Sequence, residues 1–598
     1  MVSRYLITTA DQRTWKTEMP LLFLGKWCLL YSEKDKWETL EYECVPYHWN
    51  DREQLFQDYQ YMSGFYERTL ESLAESLNRY HGVSHSLRYW RIFIGPWLYY
   101  FIQMVFDRWQ MIHRAVEGYD ISGTTVLSID PESLIPHHFA HFGQFYRGDD
   151  LWNHWIYGRV LETIGGVPLE TVAADDNLIP EQIKPHSLRR RIVGLGKTIV
   201  KKTLFLTDYL SKSNDYFFIS TTCSILDQAR LGLALGQLPT FPREPVLSPI
   251  HIDRSVRDAF SVEMDSVDRF ERFLMQLIPA QIPRYYLEGY KSLQNKIENS
   301  SWPVNPKVIF TANAIIGADY FKLWAAEKAE KGSKLILGQH GGSYGISKWS
   351  SNEAHEVSVS DRYISWGWTG AERVKPLPSP KLNHVVNRLA HDPGGRVLLV
   401  QAATPRYSYW LHSVPVAAQL EDYLEDQIRF AECLSPVIRD ELLVRLYPYD
   451  YGWCQKQRWL DRLPGIKYDS HVNTMYVSIR KSRLFIGTYN ATTFLETFSA
   501  NFPTVLFWNC KQWEIRISAQ PYFDKLRSVG ILHETPESAA HLVNEIYRDP
   551  MSWWLQPEIQ EAKNQFCNRF ARTSDKWLQE WKEDLFASDK DADGDYKL

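Results

Sequence analysis

Short apolar runs begin to alternate regularly with amphipathic helical stretches at about residue 308 of this 598-residue chain. Residues 308–311 and 334–337 are strand-like apolar runs, and residues 319–331 between them have helical periodicity. Strand, helix and strand in this order predict a βαβ unit with a right-handed connection in a parallel sheet.

A second α/β series follows a break in this pattern. Residues 370–395 carry four prolines and the segment Asp392-Pro393-Gly394-Gly395, which is typical of a domain boundary. Beyond it, strands are predicted at 397–401, 442–446, 484–486 and 504–507, and helices at about 416–434, 473–481, 492–500 and 537–548. The remaining residues are predicted to be helical, apart from an acidic tail that begins at Asp589.

The first half of the chain is less regular. It contains predicted strands at 5–8, 21–24, 126–129 and 216–220, and long helices rich in aromatic residues at about 52–80 and 85–117. Residues 165–187 are richer in Pro, Gly and Asp and are expected to form an excursion. The apolar run 92–106 is interrupted by Gly95, Pro96 and Gln103, so it predicts a buried helix rather than a membrane span.

Two α/β domains, a Pro/Gly linker and a C-terminal helix long enough to cross back are the organisation of the GT-B fold. In that fold, two Rossmann-like domains face each other across a cleft. Periplasmic-binding-protein and epimerase folds share the same outline. We predict an α/β domain with helical insertions over residues 1–385, a second α/β domain over 386–550, helices that pack back on the first domain over 551–588, and the acidic tail 589–598.

Composition excludes several classes of protein. The net charge of −5 provides no global field that attracts nucleic acid. The seven cysteines are odd in number and form no CxxC, which fits free thiols in a reducing compartment and gives no zinc signature. Because the first seven residues also lack the apolar core of a signal peptide, we expect a cytoplasmic protein.

One segment has the composition of a membrane-surface helix. Residues 189–202 combine Arg189, Arg190, Arg191, Lys197, Lys201 and Lys202 with interleaved apolar residues. Such a segment can lie on an anionic membrane surface, and the alternative is a solvated helix face. Residues 189–202 are therefore a candidate segment for peripheral contact with the inner membrane.

The most informative loop follows the strand at 334–337 and reads Gln339-His340-Gly341-Gly342. Glycines at the carboxyl end of a parallel strand let backbone N–H groups approach a phosphate, and a histidine there can relay a proton. Three carboxylates follow in the sequence: Glu353, Glu356 and Asp361. The alternative is a tight turn with a structural histidine.

Further polar loops follow predicted strands. The segment 487–496 brings Asn490, Thr492, Thr493 and Glu496 to the start of a helix, where N–H groups suit a phosphate and a carboxylate can bind ribose hydroxyls. An ordinary capping box is the alternative, because Thr493 and Glu496 have its spacing. Arg445 with Tyr447-Pro448 has the chemistry to pair with a phosphate and pack under a base. Two more strand ends carry small polar groups, in Thr221-Thr222-Cys223-Ser224 and Thr404-Pro405-Arg406.

No metal site is predicted. His137, His138 and His141 have helical metal-ligand spacing but no fourth ligand, so we interpret them as structural. No Asp-x-Asp stands at a strand end, as metal-dependent transferases of the GT-A class require.

Together these motifs resemble a known family. Gln339-His340-Gly341 with Glu353 and Asp361, the Arg445–Pro448 segment and the Thr488–Glu496 segment with Asn501-x-Pro503 are similar to those of bacterial transferases found among O-antigen and surface-polysaccharide genes. The opening segments Thr8-Thr9-Ala10-Asp11-x-x-Thr14-Trp15 and Leu22–Cys28 match as well, so the resemblance covers nearly the whole chain. The sequence has Tyr447-Pro448 where many capsule sialyl- and Kdo-transferases have His-Pro.

The resemblance implies a metal-independent GT-B glycosyltransferase that needs no cofactor beyond its nucleotide-sugar donor. The expected donor is a CMP-activated ulosonic acid, and the expected acceptor is a glycan or lipid-linked glycan of the cell surface. His340 and Glu353 are then the catalytic candidates, and Gln339, Gly341, Gly342, Glu356 and Asp361 belong to the acceptor loop. The nucleotide-binding candidates are Arg445, Tyr447, Pro448, Asn490, Thr492, Thr493 and Glu496. The alternatives are a CDP-polyol phosphotransferase and a non-enzymatic glycan-binding or export scaffold protein.

Overall fold

Three parallel β-sheets follow one another along the chain in the computed structural model, which describes residues 2–173, 213–386 and 388–594. We call them the N-terminal, middle and C-terminal sheets. The predicted basic segment 189–202 lies outside the described residues.

The strands of the three sheets are as follows. The N-terminal sheet contains β1 (Arg4–Ile7), β2 (Leu21–Phe23), β3 (Tyr42–Cys44), β4 (Ile121–Ser128) and β5 (Leu169–Ala173). The middle sheet contains β6 (Tyr216–Ile219), β7 (Val308–Thr311), β8 (Lys334–Gly338), β9 (Arg362–Ser365) and β10 (Val374–Pro376). The C-terminal sheet contains β11 (Arg396–Val400), β12 (Leu442–Arg445), β13 (Lys467–Tyr468), β14 (Ser482–Gly487), β15 (Thr504–Phe507) and β16 (Leu532–His533).

The α-helices of the described residues are numbered in chain order. In the N-terminal region they are α1 (Lys34–Trp37), α2 (Arg52–His81), α3 (Leu87–Gly118), α4 (Phe139–Tyr146) and α5 (Asp150–Ile164). Around the middle sheet they are α6 (Ile225–Ala234), α7 (Arg254–Ala259), α8 (Arg269–Gln281), α9 (Tyr290–Glu298), α10 (Ala314–Gly317), α11 (Asp319–Glu330), α12 (Ser351–Val359) and α13 (Pro380–Asn383). The remaining ones are α14 (Leu420–Glu432), α15 (Pro436–Asp440), α16 (Gln455–Arg462), α17 (Met475–Arg480), α18 (Thr492–Ser499), α19 (Gln520–Ser528), α20 (Pro536–Ile546), α21 (Pro550–Trp554), α22 (Pro557–Phe570) and α23 (Trp577–Gly594).

The C-terminal sheet has the doubly wound strand order of a Rossmann domain. Its order is β13-β12-β11-β14-β15-β16, so the direction of winding reverses between β11 and β14. Sheets of this kind bind ligands at the carboxyl ends of the two strands that flank the reversal. In this chain those ends are Val400 and Gly487, which are paired in register.

The middle sheet has its strands in sequential order, β10-β9-β8-β7-β6. Right-handed crossovers that all run in one direction place their helices on one face and leave the other face to be covered by something else. Here α6 and α23 cover it, and Trp581 and Leu585 of α23 pack on Phe310 and Ile336. The helix α22 packs instead on the C-terminal sheet, where Phe566 contacts Phe494. The predicted crossover helix is therefore α23.

The long helix α3 forms the core between the N-terminal and middle sheets. It is buried along most of its 32 residues and packs on α2, α5, α11 and α12. The prediction of a buried helix at 92–106 is confirmed. Within the described ranges, no helix has the length and apolarity needed to cross a bilayer.

The predicted fold class is confirmed: the structure is α/β, with parallel Rossmann-like sheets in a GT-B-like arrangement. Two details differ from the prediction. The predicted 1–385 domain holds two sheets instead of one sheet with helical insertions. Residues 169–173 of the expected excursion form β5, an edge strand of the N-terminal sheet, and α23 continues to Gly594 into the expected tail.

Candidate functional site

The loop after β8 contains Gln339, His340, Gly341 and Gly342, and we call it the His-Gly loop. It meets the start of α18 at the carboxyl edges of the middle and C-terminal sheets. The Gly342 N–H donates to the Thr492 hydroxyl at 2.8 Å. A Cβ atom at Gly342 would lie 2.7 Å from the Thr492 nitrogen and closer still to the carbonyl carbon of Ala491. Because such distances do not occur in folded proteins, the two loops can meet in this way only with glycine at position 342.

An open cavity of about 590 Å³ lies beside this contact. The middle sheet contributes the loops that follow β6, β7 and β8, including His340 and Asn313. The opposite wall contains Lys381 and His384 of the α13 region and Tyr476 of α17. The cavity therefore lies between strand ends of both sheets, which is where ligands of α/β proteins bind.

His340 lies in this cavity with its side chain 27% exposed. Its Nδ1 atom is 3.8 Å from Oε1 of Glu356, and its ring packs edge-on against Tyr344. Burial lowers the pKa of His340 to about 4, and the positive charge of Lys381 acts in the same direction. The imidazole is therefore neutral near pH 7 and has a lone pair available to accept a proton.

Glu356 is the carboxyl group next to His340. It is buried and accepts hydrogen bonds from the hydroxyls of Tyr344 at 2.9 Å and Tyr363 at 3.3 Å. Burial raises its pKa well above the ordinary value, although both hydroxyls oppose that shift. Sequence reasoning placed Glu356 in the acceptor loop, whereas the structure places it behind His340.

Glu353, the second predicted catalytic residue, contacts Gly345 and Arg516. Its Oε2 accepts from the Gly345 N–H at 2.8 Å, and its Oε1 accepts from Arg516 at 2.7 Å. The carboxylate thus anchors the end of the His-Gly loop to the C-terminal unit, by which we mean the C-terminal sheet with its helices and loops. Both oxygens of Glu353 are engaged in these contacts, and the carboxyl group 3.8 Å from His340 is that of Glu356.

Two other residues of the predicted acceptor loop have structural contacts. Gln339 is buried, donates to the Gly341 carbonyl at 2.8 Å, and accepts from the Trp366 N–H and the Trp368 indole. It therefore shapes the loop. Asp361 accepts from the Leu335 N–H at 2.7 Å, at the start of β8. This is the amino end of the sheet, opposite the cavity, so the structure places Asp361 away from the other residues of the predicted acceptor loop.

On the C-terminal side, Asn490 lies at the reversal point of the sheet. It is 2% exposed, and its Oδ1 has no hydrogen-bond partner among the described residues. The Thr404 hydroxyl, in the loop after β11, is also buried without a partner there. Unpaired buried acceptors and hydroxyls are rare in folded proteins, and two of them flank this reversal point.

Other predicted residues of this edge already have protein partners. Thr493 pairs with the Tyr489 hydroxyl at 2.9 Å. Glu496 accepts from Tyr476 at 3.1 Å and pairs with Lys381 at 3.3 Å. Burial raises the pKa of Glu496, and Lys381 opposes that shift.

Arg445 and Tyr447, two predicted nucleotide-binding residues, differ in whether they are free to contact a ligand. The Arg445 guanidinium donates to Asp469 at 2.5 Å and to Ser478 at 3.1 Å, and it is buried. A donor phosphate would have to compete with Asp469 for it. Tyr447 and Pro448 are exposed at the end of β12.

Sequence reasoning missed Lys381 and Tyr476 as residues of the cavity. Lys381 lies in the proline-rich stretch that was assigned to the linker, and Tyr476 lies on a predicted helix without a motif. No local signal identifies either one, because each reaches the cavity only through the packing of distant elements.

The histidines of the 137–141 cluster make hydrogen bonds within the protein. His138 caps α4, and Nδ1 of His141 accepts from the His137 N–H at 3.1 Å. In the part of the chain that the structure describes, no three His, Cys, Asp or Glu residues are grouped as metal ligands.

Three solved structures illustrate what this chain is similar to in fold. MurG of Acinetobacter baumannii is 12% identical, with 62% of this chain and 98% of that chain covered and a TM-score of 0.31. The α,α-trehalose 6-phosphate synthase of Burkholderia multivorans is 13% identical, with coverages of 64% and 98% and a TM-score of 0.35. The UDP-GlcNAc 2-epimerase of Neisseria meningitidis is 10% identical, with coverages of 58% and 97% and a TM-score of 0.32.

A search of curated proteins found no match to this chain. At the family level the similarity is extensive: residues 4–585 match the LIC12162 family of transferases. This span takes in all three sheets and the first half of the crossover helix, so the chain belongs to the LIC12162 family transferases.

Proposed function

We propose that this transferase is a metal-independent GT-B glycosyltransferase that moves a sugar from a nucleotide-sugar donor to a surface-glycan acceptor. The observation that carries the proposal is the cavity between the strand ends of the middle and C-terminal sheets, with the neutral His340 in its wall. Glycosyl transfer needs a nucleotide and an acceptor hydroxyl to meet in one such cleft.

On the acceptor side, His340 is the proposed catalytic base. A neutral imidazole can take the proton of the acceptor hydroxyl as the new glycosidic bond forms. Glu356 and Tyr344 lie behind the ring and limit its orientation. The Lys381 ammonium, in the opposite wall, is placed to stabilise negative charge on a leaving phosphate.

On the donor side, we propose that the nucleotide lies over the reversal point of the C-terminal sheet. The unpaired Oδ1 of Asn490 and the N–H groups at the start of α18 support this position. The preferred donor is a CMP-activated ulosonic acid, and its support is the sequence resemblance of the His340 and Asn490 loops to those of surface-polysaccharide transferases.

A thermal-shift panel of CMP, CDP, UDP, GDP and ADP tests the donor site directly. A nucleotide at a hundredfold excess over its Kd stabilises the fold by about 2.7 kcal/mol. We expect CMP to give the largest shift, and we expect Asn490→Ala to reduce it. The absence of a thermal shift with every nucleotide would contradict the proposal. In a separate assay of the reaction product, a phosphodiester would assign the enzyme to the CDP-polyol phosphotransferases.

Substitution of His340 tests the catalytic assignment. We expect His340→Ala to lower kcat by about 10²- to 10⁴-fold with little change in Tm, because a general base contributes on that scale. The control is His541→Ala, which removes an exposed histidine of α20. Because the pKa of His340 is about 4, the rate of the wild type should begin to fall with decreasing pH only below pH 5, and not near pH 6.5. Full turnover of His340→Ala would refute the assignment.

We also retain the proposal of a cytoplasmic enzyme that touches the inner membrane through the basic segment 189–202. Its support is the sequence alone: six basic residues interleaved with apolar ones. Sedimentation with liposomes, with and without anionic lipid and at low and high salt, tests it. Equal partitioning of the wild type and an Arg189→Glu/Arg190→Glu/Arg191→Glu variant would remove this segment from the proposal.

A further inference from the structure

One side of the C-terminal sheet faces the middle sheet across the cavity. The other side, which we call its second flank, faces the N-terminal unit, meaning the N-terminal sheet with its helices and loops. Arg406, in the loop after β11, donates to the Trp27 carbonyl at 2.5 Å and pairs with Asp150 of α5 at 3.1 Å. Lys26 pairs with Glu421 of α14 at 2.9 Å. The carboxyl ends of β11 and β12 are therefore bordered by two different units, one on each side.

Three clustered tyrosines follow β12 on this flank: Tyr447 and Tyr449 are exposed, and Tyr451 is partly buried. The ring centroids of Tyr447, Tyr449 and Tyr451 are 6.1–6.2 Å apart, and the rings of Tyr447 and Tyr451 are nearly parallel. Tyr447 is 36% exposed and Tyr449 is 63% exposed. Aromatic rings displayed to solvent in a cluster are typical of binding surfaces and are costly to expose otherwise.

The loop that carries these rings is held in a strained and fixed conformation. Tyr451 has a φ of 55°, a left-handed conformation that is unfavourable for a bulky residue. The Asp450 carboxylate accepts from the N–H groups of Cys454 and Gln455 at 2.6 and 2.7 Å, which fixes the loop to the start of α16. Local strain of this kind is concentrated at functional sites, and the rigidity lowers the entropic cost of binding.

An arginine lies near this cluster, and its electrostatic partners include the hydroxyls of Tyr146 and Tyr451. Arg147 follows α4 in the N-terminal unit, is exposed, and lies 5.7 Å from the ring centroid of Tyr146. Tyr146 stacks in turn on Tyr409 at 5.8 Å. Arg147 also acts electrostatically on Tyr451, whose pKa it lowers against the larger effect of burial. Within the described ranges, no carboxylate lies within ion-pair distance of Arg147.

We propose that Arg147 and the tyrosines Tyr447, Tyr449 and Tyr451 form a subsite for an acidic sugar of the glycan acceptor. A sugar ring can stack its C–H face on an exposed tyrosine, and its carboxylate can pair with the planar guanidinium in a bidentate way. A neutral sugar would leave Arg147 unused. That this sugar belongs to the acceptor rests on the proposed function. The binding of an acidic sugar at this subsite does not depend on that function.

Binding is tested without any donor or turnover, by calorimetry or saturation-transfer NMR. The probes are a glucuronic acid disaccharide, N-acetylneuraminic acid, N-acetylglucosamine and CMP. We expect the wild type to bind at least one acidic probe, and we expect Arg147→Ala and Tyr449→Ala each to weaken that binding at least tenfold. Arg147→Lys should be intermediate, because it keeps the charge but loses the bidentate geometry. The matched control is Arg159→Ala, which removes an exposed arginine of α5 that pairs with Glu162.

Each outcome decides the proposal. Absence of binding to both acidic probes, or equal binding by the wild type and Arg147→Ala at unchanged Tm, overturns it. Loss of CMP binding in Arg147→Ala, with acidic-sugar binding unchanged, also overturns it and assigns the flank to the donor. If acidic sugars bind through Arg147 but no nucleotide shifts the Tm, the subsite stands and the proposed glycosyl transfer fails.

Discussion

At the scale of single residues, the contact between the middle and C-terminal sheets depends on the missing side chain of Gly342. We expect Gly342→Ala to lower kcat/KM at least tenfold and to lower Tm, because a Cβ atom there would meet the backbone of Ala491 and Thr492. At Gly341 a Cβ atom would meet only the Thr492 hydroxyl, at 3.2 Å. Gly341→Ala is therefore the matched control, with an expected effect below about threefold. Equal effects of the two substitutions would show that the close approach is not essential.

His355 provides a second prediction at this scale. It is 4% exposed, and neither ring nitrogen has a hydrogen-bond partner among the described residues. Burial lowers its pKa to about 3, so the ring is neutral. Leaving buried polar groups unpaired is costly, so His355→Leu should raise the free energy of unfolding at pH 7 by on the order of 1 kcal/mol.

His154 is the control for that substitution, because both of its nitrogens are bonded. They pair with the Thr8 hydroxyl and the Leu127 N–H, each at 3.0 Å. His154→Leu should lower the free energy of unfolding by about 1–3 kcal/mol, since it leaves those partners unpaired. Urea unfolding measures both variants. A loss of stability in His355→Leu equal to that of His154→Leu would mean that His355 has a bonded partner in solution.

The candidate site shows which properties of single residues a sequence reveals. His340 and Thr492 are recognisable because glycines and small polar residues after an apolar run mark a strand end. Glu353 and Asp361 have the same signature in the sequence, yet one holds Gly345 and Arg516, and the other holds Leu335 at the opposite edge. A sequence gives the position of a side chain along its element, but it does not give the partners that occupy its polar atoms.

At the scale of elements, α23 acts as the cover of the middle sheet. Trp581 is 2% exposed, packs edge-on against Phe310 at 5.2 Å, and donates its indole N–H to the Pro378 carbonyl. We expect Trp581→Ala to destabilise the protein by about 3–5 kcal/mol, because it creates a cavity and leaves the Pro378 carbonyl without that donor. Trp577→Ala, at a partly buried position of the same helix, should cost clearly less. Calorimetry or urea unfolding measures the stability of both variants. Equal losses of stability would argue against a specific role of Trp581 in covering the middle sheet.

Strands and helices were mostly predictable, whereas their grouping into sheets was not. The strands β7 and β15 begin and end where the apolar runs at 308–311 and 504–507 predict, and α2 and α3 match within two residues. The edge strands β13 and β16 are only two residues long, too short to give a pattern. The division of residues 1–385 into two sheets depends on which strands pair across long separations, and periodicity carries no information about that.

At the scale of the whole molecule, the three units meet around residues 512–516. Arg52, at the start of α2, pairs with Glu514 at 2.6 Å and donates to Gln419 at 2.8 Å. The Arg516 N–H donates to the Ile346 carbonyl at 2.8 Å, and its guanidinium pairs with Glu353. These contacts hold the His-Gly loop, the N-terminal unit and the C-terminal unit in one arrangement.

The buried histidines predict how the whole molecule responds to acid. Burial lowers the pKa of His154, His340 and His141 to about 4 and that of His355 and His412 to about 3, compared with 6.5 in the unfolded chain. Below pH 6.5 the unfolded chain therefore binds protons that the folded protein does not. The stability that these groups contribute is complete above pH 6.5 and is lost as the pH falls from 6.5 to about 4.

We expect the Tm to fall between pH 6.5 and 4, because the histidines outweigh the opposing effect of buried carboxyl groups with raised pKa, which include Glu356, Glu496 and Glu244, the last with a pKa of about 7. Calorimetry across this range measures it. His355→Leu should flatten the slope, since that variant lacks one of the protons taken up on unfolding. A Tm that is constant from pH 6.5 to 4.5 would show that these histidines titrate normally in the folded state.

The cover that α23 gives to the middle sheet also has a consequence for biosynthesis. The strands of that sheet leave the ribosome long before Trp581 and Leu585, which complete its core, have been translated. Among the described residues, α6 is the helix that covers the apolar face of Phe310, Ile336 and Ile364 during that interval. The C-terminal sheet contains all its own strands within residues 396–533 and can form in the meantime. Nascent chains of this transferase should therefore depend on a holdase chaperone until synthesis reaches α23, and a stalled chain should be a preferred substrate of proteases.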